Sequence, residues 1–396
     1  MSRTLIVAGA GIVGLSTAYS LAKAGNRVIV LDKEEHVAAH QTGNNSGVIH
    51  SGLYYTPGSL KAKLSVDGAS SIRDFAVEHG VKVDICGKLV VATDDKQLPQ
   101  LNELLRRGKE NGVPARLVSP EEAREYEPHV STVGALHVES TGIIDYKGVC
   151  EALARLIREL GGEIRFGAEV KGVKADALGV TVETRNGSVR GHYFVNCGGL
   201  HSDRIARLAG LKPSVRIIPF RGEYYELIPE EQHLVRGLIY PVPDPQFPFL
   251  GVHLTKMIDG SVHAGPNAIF AFAREGYKWL NINPRDMLES AAWPGLWKLG
   301  AKFWKVGLAE TYRSFSRKKA LEGLRELVPA LGDKAIVPTH NGVRAQAMNR
   351  DGTMVDDFLF ERGQRQIHVL NAPSPAATAS LEIGKRIATE LLDMAK

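Results

Sequence analysis

The first thirty-two residues constrain this chain more than any other stretch. Thr4-Leu5-Ile6-Val7-Ala8 is a short apolar run of the kind a fully buried parallel strand carries, and Arg27 to Leu31 is a second. Between them Gly9-Ala10-Gly11-Ile12-Val13-Gly14 leads into a helix-forming stretch through Ala24, which Gly25-Asn26 ends. Each glycine has a physical task. Gly9 allows a tight turn, Gly11 lets the backbone approach a pyrophosphate, and Gly14 lets helix and strand pack closely. A helix N-terminus at this turn offers unpaired N–H groups and a partial positive charge to an anion. Asp32 closes the second strand 18 residues after Gly14. A carboxylate there accepts hydrogen bonds from ribose hydroxyls and repels a 2′-phosphate. A glycine-rich loop without a ligand is disfavoured, because strand, helix and acid all fall where dinucleotide binding needs them. FAD and NAD use the same cradle, and this unit does not separate them.

The length of 396 residues exceeds one ordinary core and predicts two domains. A hydrophobic content of 44% with 23% charged residues excludes a disordered chain. The net charge of +5 fits an anionic substrate or a membrane surface better than nucleic acid, which calls for a clustered basic stripe. Cys86, Cys150 and Cys197 stand far apart without a CxxC pair, so neither a disulfide framework nor a cysteine-rich metal site is expected. His40 and His50 lack a third ligand, and no metal is expected. The first strand begins at residue 4 and no run of eighteen apolar residues occurs. The expectation is therefore a chain without a signal or transit peptide, cytoplasmic or peripheral on the inner face of the cell membrane.

Further along, periodicity predicts helices over 60–80 and 96–112, a strand from Lys88 to Thr93, and a helix from Tyr146 to Leu160 ended by Gly161-Gly162. A strand pair, Glu163 to Phe166 with Glu169 to Val173, should follow, and Asn186-Gly187 marks a hairpin. Val195-Asn196-Cys197-Gly198-Gly199 is a second glycine-ended strand, with Ser202-Asp203 as the cap of a helix through Ala209. Two such strands this far apart predict a discontinuous dinucleotide domain. The fold class is α/β: a Rossmann-like domain from 1–85, 145–215 and 335–396, with an inserted antiparallel-sheet α+β substrate domain from 86–144 and 216–334. Ile217 to Leu227 reads as a long strand opening the main insertion, and strands flank Asp259-Gly260. Asn371-Ala372-Pro373-Ser374-Pro375-Ala376-Ala377-Thr378 is expected to open a last helix running to Met394.

All four tryptophans, Trp279, Trp293, Trp297 and Trp304, lie in one segment. At about 100° per residue, Trp293, Leu296, Trp297, Gly300, Phe303, Trp304 and Leu308 share a face, with Lys298, Lys302 and Lys305 opposite. A helix over 291–308 of this kind fits a bilayer interface. It fits equally an amphipathic cover on the second domain's core, with lysines in solvent.

The run His40-Gln41-Thr42-Gly43-Asn44-Asn45-Ser46-Gly47-Val48-Ile49-His50 is too small and polar for a core element and describes backbone lying close to something flat and polar. With it, Pro219-Phe220-Arg221-Gly222-Glu223-Tyr224, Pro248-Phe249-Leu250-Gly251-Val252-His253-Leu254-Thr255, Gly342-Val343-Arg344-Ala345-Gln346-Ala347 and the stretch from Asn371 to Thr378 carry a resemblance that spans nearly the whole chain. The chain resembles the FAD-dependent glycine, sarcosine and D-amino-acid oxidase-like superfamily and, within it, the L-2-hydroxyglutarate oxidase/dehydrogenase family. Asp32 stands where that family commonly has glutamate, which reaches a ribose equally well.

The resemblance implies FAD as cofactor. It implies that Thr42, Ser46, Gly47 and Val48 line the flavin or its ribityl chain, that Val170 contacts the adenine side, and that Pro373, Ser374, Ala376 and Ala377 lie near the flavin pyrimidine edge. Gly9, Gly11, Gly14, Asp32, Lys33 and Gly198 complete the candidate cofactor set. The implied reaction is oxidation of L-2-hydroxyglutarate to 2-oxoglutarate by hydride transfer to flavin, with quinone or oxygen as the electron acceptor. An amino-acid oxidase of the glycine, sarcosine or D-amino-acid type is the alternative. Such an oxidation needs cations for carboxylates and a base for the hydroxyl proton. Arg344 occupies the place where the superfamily's amine oxidases hold a substrate carboxylate, and a planar guanidinium suits bidentate binding. Arg221 is the second cation, for the distal carboxylate. His253 is the preferred base with His50 close behind, since imidazole titrates near neutral pH. Tyr55 and Tyr240 orient substrate or simply pack.

Overall fold

The computed structural model describes residues 2–243 and 251–394, without the side chains of 305, 306 and 308–315. Its first sheet has six strands in the order Leu359–Gly363, Gln366–Asn371, Tyr193–Asn196, Thr4–Ala8, Arg27–Leu31, Glu163–Arg165. All neighbours are parallel except the Leu359–Gly363 edge strand. Leu5, Ile6, Val7, Val28 and Val30 are wholly buried, because helices cover one face and a second sheet the other. The helix Ile12–Lys23 packs between Tyr146–Glu159 and Ser380–Asp393. Gly384 permits the close crossing, for a Cβ there would lie 2.5 Å from the Ser16 carbonyl carbon. On the opposite face the sheet of Val170–Ala175, Val180–Thr184 and Gly187–Gly191 buries Val173, Val180 and Val182 against Ile6 and Ile29.

The expected strand pair around residue 167 does not form. Glu163–Arg165 joins the parallel sheet beside Arg27–Leu31, whereas Val170–Ala175 pairs with Val180–Thr184. Gly167, at φ +61°, turns the chain from one layer to the other. Nor do Ser202 and Asp203 cap the helix Ser202–Leu208. Asp203 is fully buried instead, with its Oδ2 2.9 Å from Arg274 Nη2. The last helix spans Ser380–Asp393 rather than opening at 371. Pro373 and Pro375 remove two amide donors within three residues, so 372–379 runs as turns.

The second domain is a nine-stranded sheet. Its centre is Val262–Gly265, His253–Lys256, Leu238–Pro241 and Lys88–Ala92, and its long edge is the antiparallel pair Arg216–Leu227 and Ile336–Met348. The latter strand corrects the expected boundary at 335. Its register runs from Arg216 opposite Met348 to Leu227 opposite Ile336, so residues 336–348 belong to the substrate domain. A cluster of Leu321, Leu324 and Leu327 from the helix Arg317–Leu327 with Leu254 and Ile336 closes one face of this sheet.

The tryptophan segment divides. The helix Pro294–Phe315 is interrupted at Phe303, where φ is −119° and ψ 20°. Trp293, 4% exposed, packs on Ile218, Phe220 and Met348 and donates from Nε1 to the Met348 carbonyl at 3.1 Å. Trp297 and Trp304 are 67% and 57% exposed. The single apolar face expected over 291–308 is thus split between core cover and outward surface. Lys305 and Leu308 lie outside the described side chains, and Pro248, Phe249 and Leu250 lie outside the described residues. No described helix is long and apolar enough to cross a membrane.

Candidate functional site

One cavity of about 1200 Å³ runs between the two domains, from the first glycine turn to the wall of the second sheet. At its near end Gly9 holds φ +107°, and a Cβ on it would lie 2.4 Å from the Cys197 carbonyl oxygen. A Cβ on Gly14 would lie 1.9 Å from the Gly9 oxygen. These two glycines are demanded by protein packing. Gly11 differs, because a Cβ there would meet only Thr42 Oγ1, at 3.5 Å, across open cavity. Thr42 Oγ1 also accepts from the Ile12 amide at 3.1 Å, tying the 40–50 loop to the first turn of the helix. Asp32 faces the same space while accepting from the Ala10 amide at 2.5 Å and the Glu34 amide at 2.9 Å.

The far wall is assembled from distant segments. Val170 and Gly198 line the cavity beside Asp32 and Lys33; Ser46, Val48, Pro373, Ser374, Ala376 and Ala377 line it further along. Gly47 is not on the wall. At φ +66° it turns the chain so that Ser46 and Val48 are. Open space at Gly11 and helical amides at one end, with a long slot between small residues, fit the pyrophosphate and flat ring system of FAD.

The other end holds the groups able to handle a hydroxy acid. Arg344 lines the cavity from the strand Ile336–Met348, opposite Phe220. Its exposed surface is cavity wall, deep below the protein exterior, and burial lowers its pKa against the opposing influence of Tyr224. His253 lines the same space, with Nδ1 2.9 Å from the Gly251 carbonyl. A carbonyl can only accept, so Nδ1 carries the hydrogen and Nε2 keeps its lone pair. Burial pushes the His253 imidazole down to about 4, opposed by the Gly251 bond and assisted by Arg344 and Lys88. His50 is pushed down to about 3 by burial and by Lys88, His253 and Lys61. Its Nε2 lies 3.4 Å from Ser374 Oγ, and its amide donates to Thr378 Oγ1 at 3.0 Å. Both rings are therefore neutral at pH 7 and able to accept a proton. Tyr55 and Tyr240 line the cavity, their phenols pushed up by burial, and the Tyr240 ring lies 4.0 Å from that of His253.

Arg221 does not reach this space. Gly222 and Tyr224 face the cavity, so the two-residue period of the strand Arg216–Leu227 turns Arg221 to the opposite side. There its guanidinium lies 4.2 Å over the Trp279 ring and 3.2 Å from Glu223 Oε1. The distal-carboxylate role expected for Arg221 is withdrawn, since a substrate in the cavity cannot touch it.

Glu275, His201, Tyr54 and Lys61, which sequence reasoning did not single out, complete the wall beside Lys33 and His40. Glu275 from the substrate domain meets Lys33 Nζ at 2.7 Å and His201 Nε2 at 2.8 Å, across the dinucleotide end. Lys33 is thus an interdomain ion-pair partner. His40 Nε2 lies 2.8 Å from Glu34 Oε1, and the Lys33 ammonium sits among Glu34, His40 and Glu275, which have metal-ligand spacing. Tyr54 and Lys61 also line the catalytic end. No local signal marks Glu275, His201, Tyr54 or Lys61, since single polar residues of these types are ordinary along any chain.

A sequence model of the family described as FAD dependent oxidoreductase matches residues 4–390. The curated L-2-hydroxyglutarate dehydrogenase of Indibacter alkaliphilus is 47% identical over 388 residues, covering 97% of each chain. That of Escherichia coli strain K12 is 42% identical and covers 98% of this chain and 92% of its own. The mitochondrial L-2-hydroxyglutarate dehydrogenase of Homo sapiens is 41% identical, covering 98% of this chain and 88% of its own. Among solved structures, dithionite-reduced L-alpha-glycerophosphate oxidase from Mycoplasma pneumoniae with FAD bound is similar at a TM-score of 0.81 and 22% identity, covering 99% of this chain and 95% of its own. Glycine oxidase from Geobacillus kaustophilus is similar at a TM-score of 0.74 and 16% identity, with the same coverage. At these identities the structural likeness speaks for the fold.

Proposed function

Because the chain belongs to the FAD-dependent oxidoreductase family and, at 41% to 47% identity, to the L-2-hydroxyglutarate dehydrogenases within it, we propose that it oxidises L-2-hydroxyglutarate to 2-oxoglutarate. The observation that carries this reading is one continuous cavity joining the glycine cradle at Gly11 to Arg344 and His253. When bound, FAD supplies the acceptor for the hydride that leaves C2. Asp32, the helical amides after Gly11 and the small residues from Thr42 to Val48 would hold it. Arg344 binds the C1 carboxylate, and its buried surroundings strengthen that attraction. His253 Nε2 takes the proton of the C2 hydroxyl while the Gly251 carbonyl keeps Nδ1 protonated and the ring oriented. His50 is the alternative proton acceptor. Burial of both imidazoles keeps them uncharged until the substrate proton arrives.

Anaerobic mixing tests the reading directly. L-2-hydroxyglutarate should bleach the flavin of the holoenzyme, whereas the D-enantiomer, glutamate, glycine and sarcosine should not. An unbleached flavin with the L-hydroxy acid, or bleaching by an amine, would rule the reading out.

Electron transfer out of the flavin is read from the surface of the second domain. Leu280, Ile282, Leu288 and Trp297 are 90%, 60%, 70% and 67% exposed within one segment that also exposes Lys278, Arg285, Lys298 and Lys302. Apolar side chains set among cations suit peripheral docking on an anionic bilayer, where quinone is at hand. Oxygen is the acceptor if the enzyme works away from the membrane. Replacing Leu288 and Trp297 together by aspartate should reduce co-sedimentation with anionic vesicles by about tenfold or more. Flavin content and dye-coupled turnover should stay at the wild-type level, and undiminished sedimentation would refute the docking surface.

A further inference from the structure

The order of the first sheet sets three loops side by side at the dinucleotide end of the cavity. Tyr193–Asn196, Thr4–Ala8 and Arg27–Leu31 are neighbours, with Thr4–Ala8 in the middle. Gly9 and Gly11 follow the middle strand, His201 follows one flanking strand and Lys33 the other. Strands two places apart stand about 10 Å from each other. A single oxygen nevertheless joins the two flanking loops: Glu275 Oε1 lies 2.7 Å from Lys33 Nζ and 2.8 Å from His201 Nε2. It spans the crevice at the carboxyl end of the middle strand, where an open parallel sheet receives its ligand. Glu275, Lys33 and His201 all line the cavity.

Glu275 comes from the substrate domain, and its neighbours fasten that domain here. Arg274 is 2% exposed; its Nη1 donates to the Leu200 carbonyl at 2.6 Å and its Nη2 lies 2.9 Å from Asp203 Oδ2. Two residues beyond Glu275, the Tyr277 hydroxyl lies 3.1 Å from His40 Nδ1, and the Tyr277 carbonyl accepts from Asn341 Nδ2 at 2.7 Å. Arg274 is a dry anchor, since parting it from Asp203 would leave two charges unpaired in the core. Glu275 differs. Its side chain is 34% exposed, and those of Lys33 and His201 are likewise part-exposed, so water can replace each contact as it opens. Burial pushes the Glu275 carboxyl up, but the hydrogen bonds from His201 and Lys33 outweigh it and hold the group down at about 2, so it carries its charge at neutral pH.

A dinucleotide seated at Gly11 runs beneath this bridge, because its pyrophosphate lies over the end of the middle strand and its two halves reach away along the cavity. Laying it down or lifting it out requires the bridge to open. Resting on the reading that the cavity holds FAD, we infer that Glu275 is an interdomain clamp over the pyrophosphate, anchored by Arg274 beside it, and that its parting from Lys33 and His201 limits the rate at which FAD enters and leaves.

The test follows FAD release from the full-length holoenzyme and FAD uptake by the apoprotein, both by flavin fluorescence. Glu275→Gln keeps the shape of the side chain and removes its charge. It should quicken release and uptake alike, each by about tenfold, the loss expected for two or three part-exposed charged contacts, and move Kd by less than about threefold. A residue that only touched the cofactor would quicken release alone. One that only held the fold would lower the thermal midpoint of the apoprotein without quickening uptake. Either result, or unchanged release, overturns the inference. His201→Ala opens the bridge from the dinucleotide domain; it should also quicken both rates, and it carries the test if Glu275→Gln does not fold. The two changes together should gain less than the product of their separate effects, because each breaks the same bridge, and full additivity would count against a shared clamp. Wild-type protein that takes up no FAD overturns the cofactor reading and the clamp together, whereas wild-type exchange rates in both variants overturn the clamp alone.

Discussion

Arg344→Met should lower kcat/KM for L-2-hydroxyglutarate by about 10²- to 10³-fold with the flavin still bound, the range expected when one partner of a buried charge pair is truncated. Arg344 points into the cavity from a strand pressed against the cofactor loop; a Cβ on neighbouring Gly342 would lie 2.7 Å from the Asn44 carbonyl oxygen. Methionine fills much of the vacated volume without a charge, so the strand should keep its place. The loss should fall on mono- and dicarboxylate ligands alike, because every 2-hydroxy acid has the C1 carboxylate. Arg344→Lys should recover part of the affinity, since an ammonium keeps the charge but not the bidentate fork. Steady-state kinetics with 2-oxoglutarate titrations would read all of this. Wild-type kcat/KM in Arg344→Met would remove the arginine from the carboxylate site.

Gly14→Val should yield protein nearly devoid of flavin and with a lowered thermal midpoint. Even a Cβ at this position falls 1.9 Å from the Gly9 oxygen and 3.0 Å from the Gly9 carbonyl carbon. The helix Ile12–Lys23 must then move off the turn that its N-terminus completes, and it carries its contacts with Ser380–Asp393 along. Overpacking of this kind costs about 1–3 kcal/mol or more. Gly11→Ala is the informative companion. Its Cβ meets only Thr42 Oγ1 at 3.5 Å, so that variant should melt like wild type while binding FAD more weakly, the methyl standing where the cofactor must approach. Differential scanning calorimetry beside flavin absorbance separates the two effects. Fully loaded Gly14→Val with a wild-type midpoint would contradict the packing argument.

The glycine variants and the Arg344 variants mark different levels of legibility. Gly9, Gly11, Gly14 and Asp32 act within one turn and one strand end, so their spacing along the chain carries their meaning. The glycine-ended strand at Val195 to Gly199 was likewise readable, and Tyr193–Asn196 pairs in parallel with Thr4–Ala8. Arg221 and Arg344 looked equivalent in sequence, each a lone arginine among small or apolar neighbours. Which of them meets the cavity depends on the parity of its strand against a wall built by other strands.

Lys88 shows the same limit from the other side. In sequence it is an ordinary residue opening an apolar strand; its setting arises only when Tyr54 and Tyr240, from two other segments, close over it. Trp293 and Trp297 share a face only on an ideal helix; in the fold Trp293 precedes the helix Pro294–Phe315 and packs on Ile218, Phe220 and Met348, whereas Trp297 within that helix is exposed. Residues 336–348 could not be assigned to a domain before their pairing partner was known. The sequence by itself determined what short-range stereochemistry dictates: the glycine turn, its helix and terminal acid, and the strand and helix periods. The tertiary structure alone decided which faces look inward, which charges meet, and how distant segments enclose one cavity, because those depend on long-range pairing that no local period encodes.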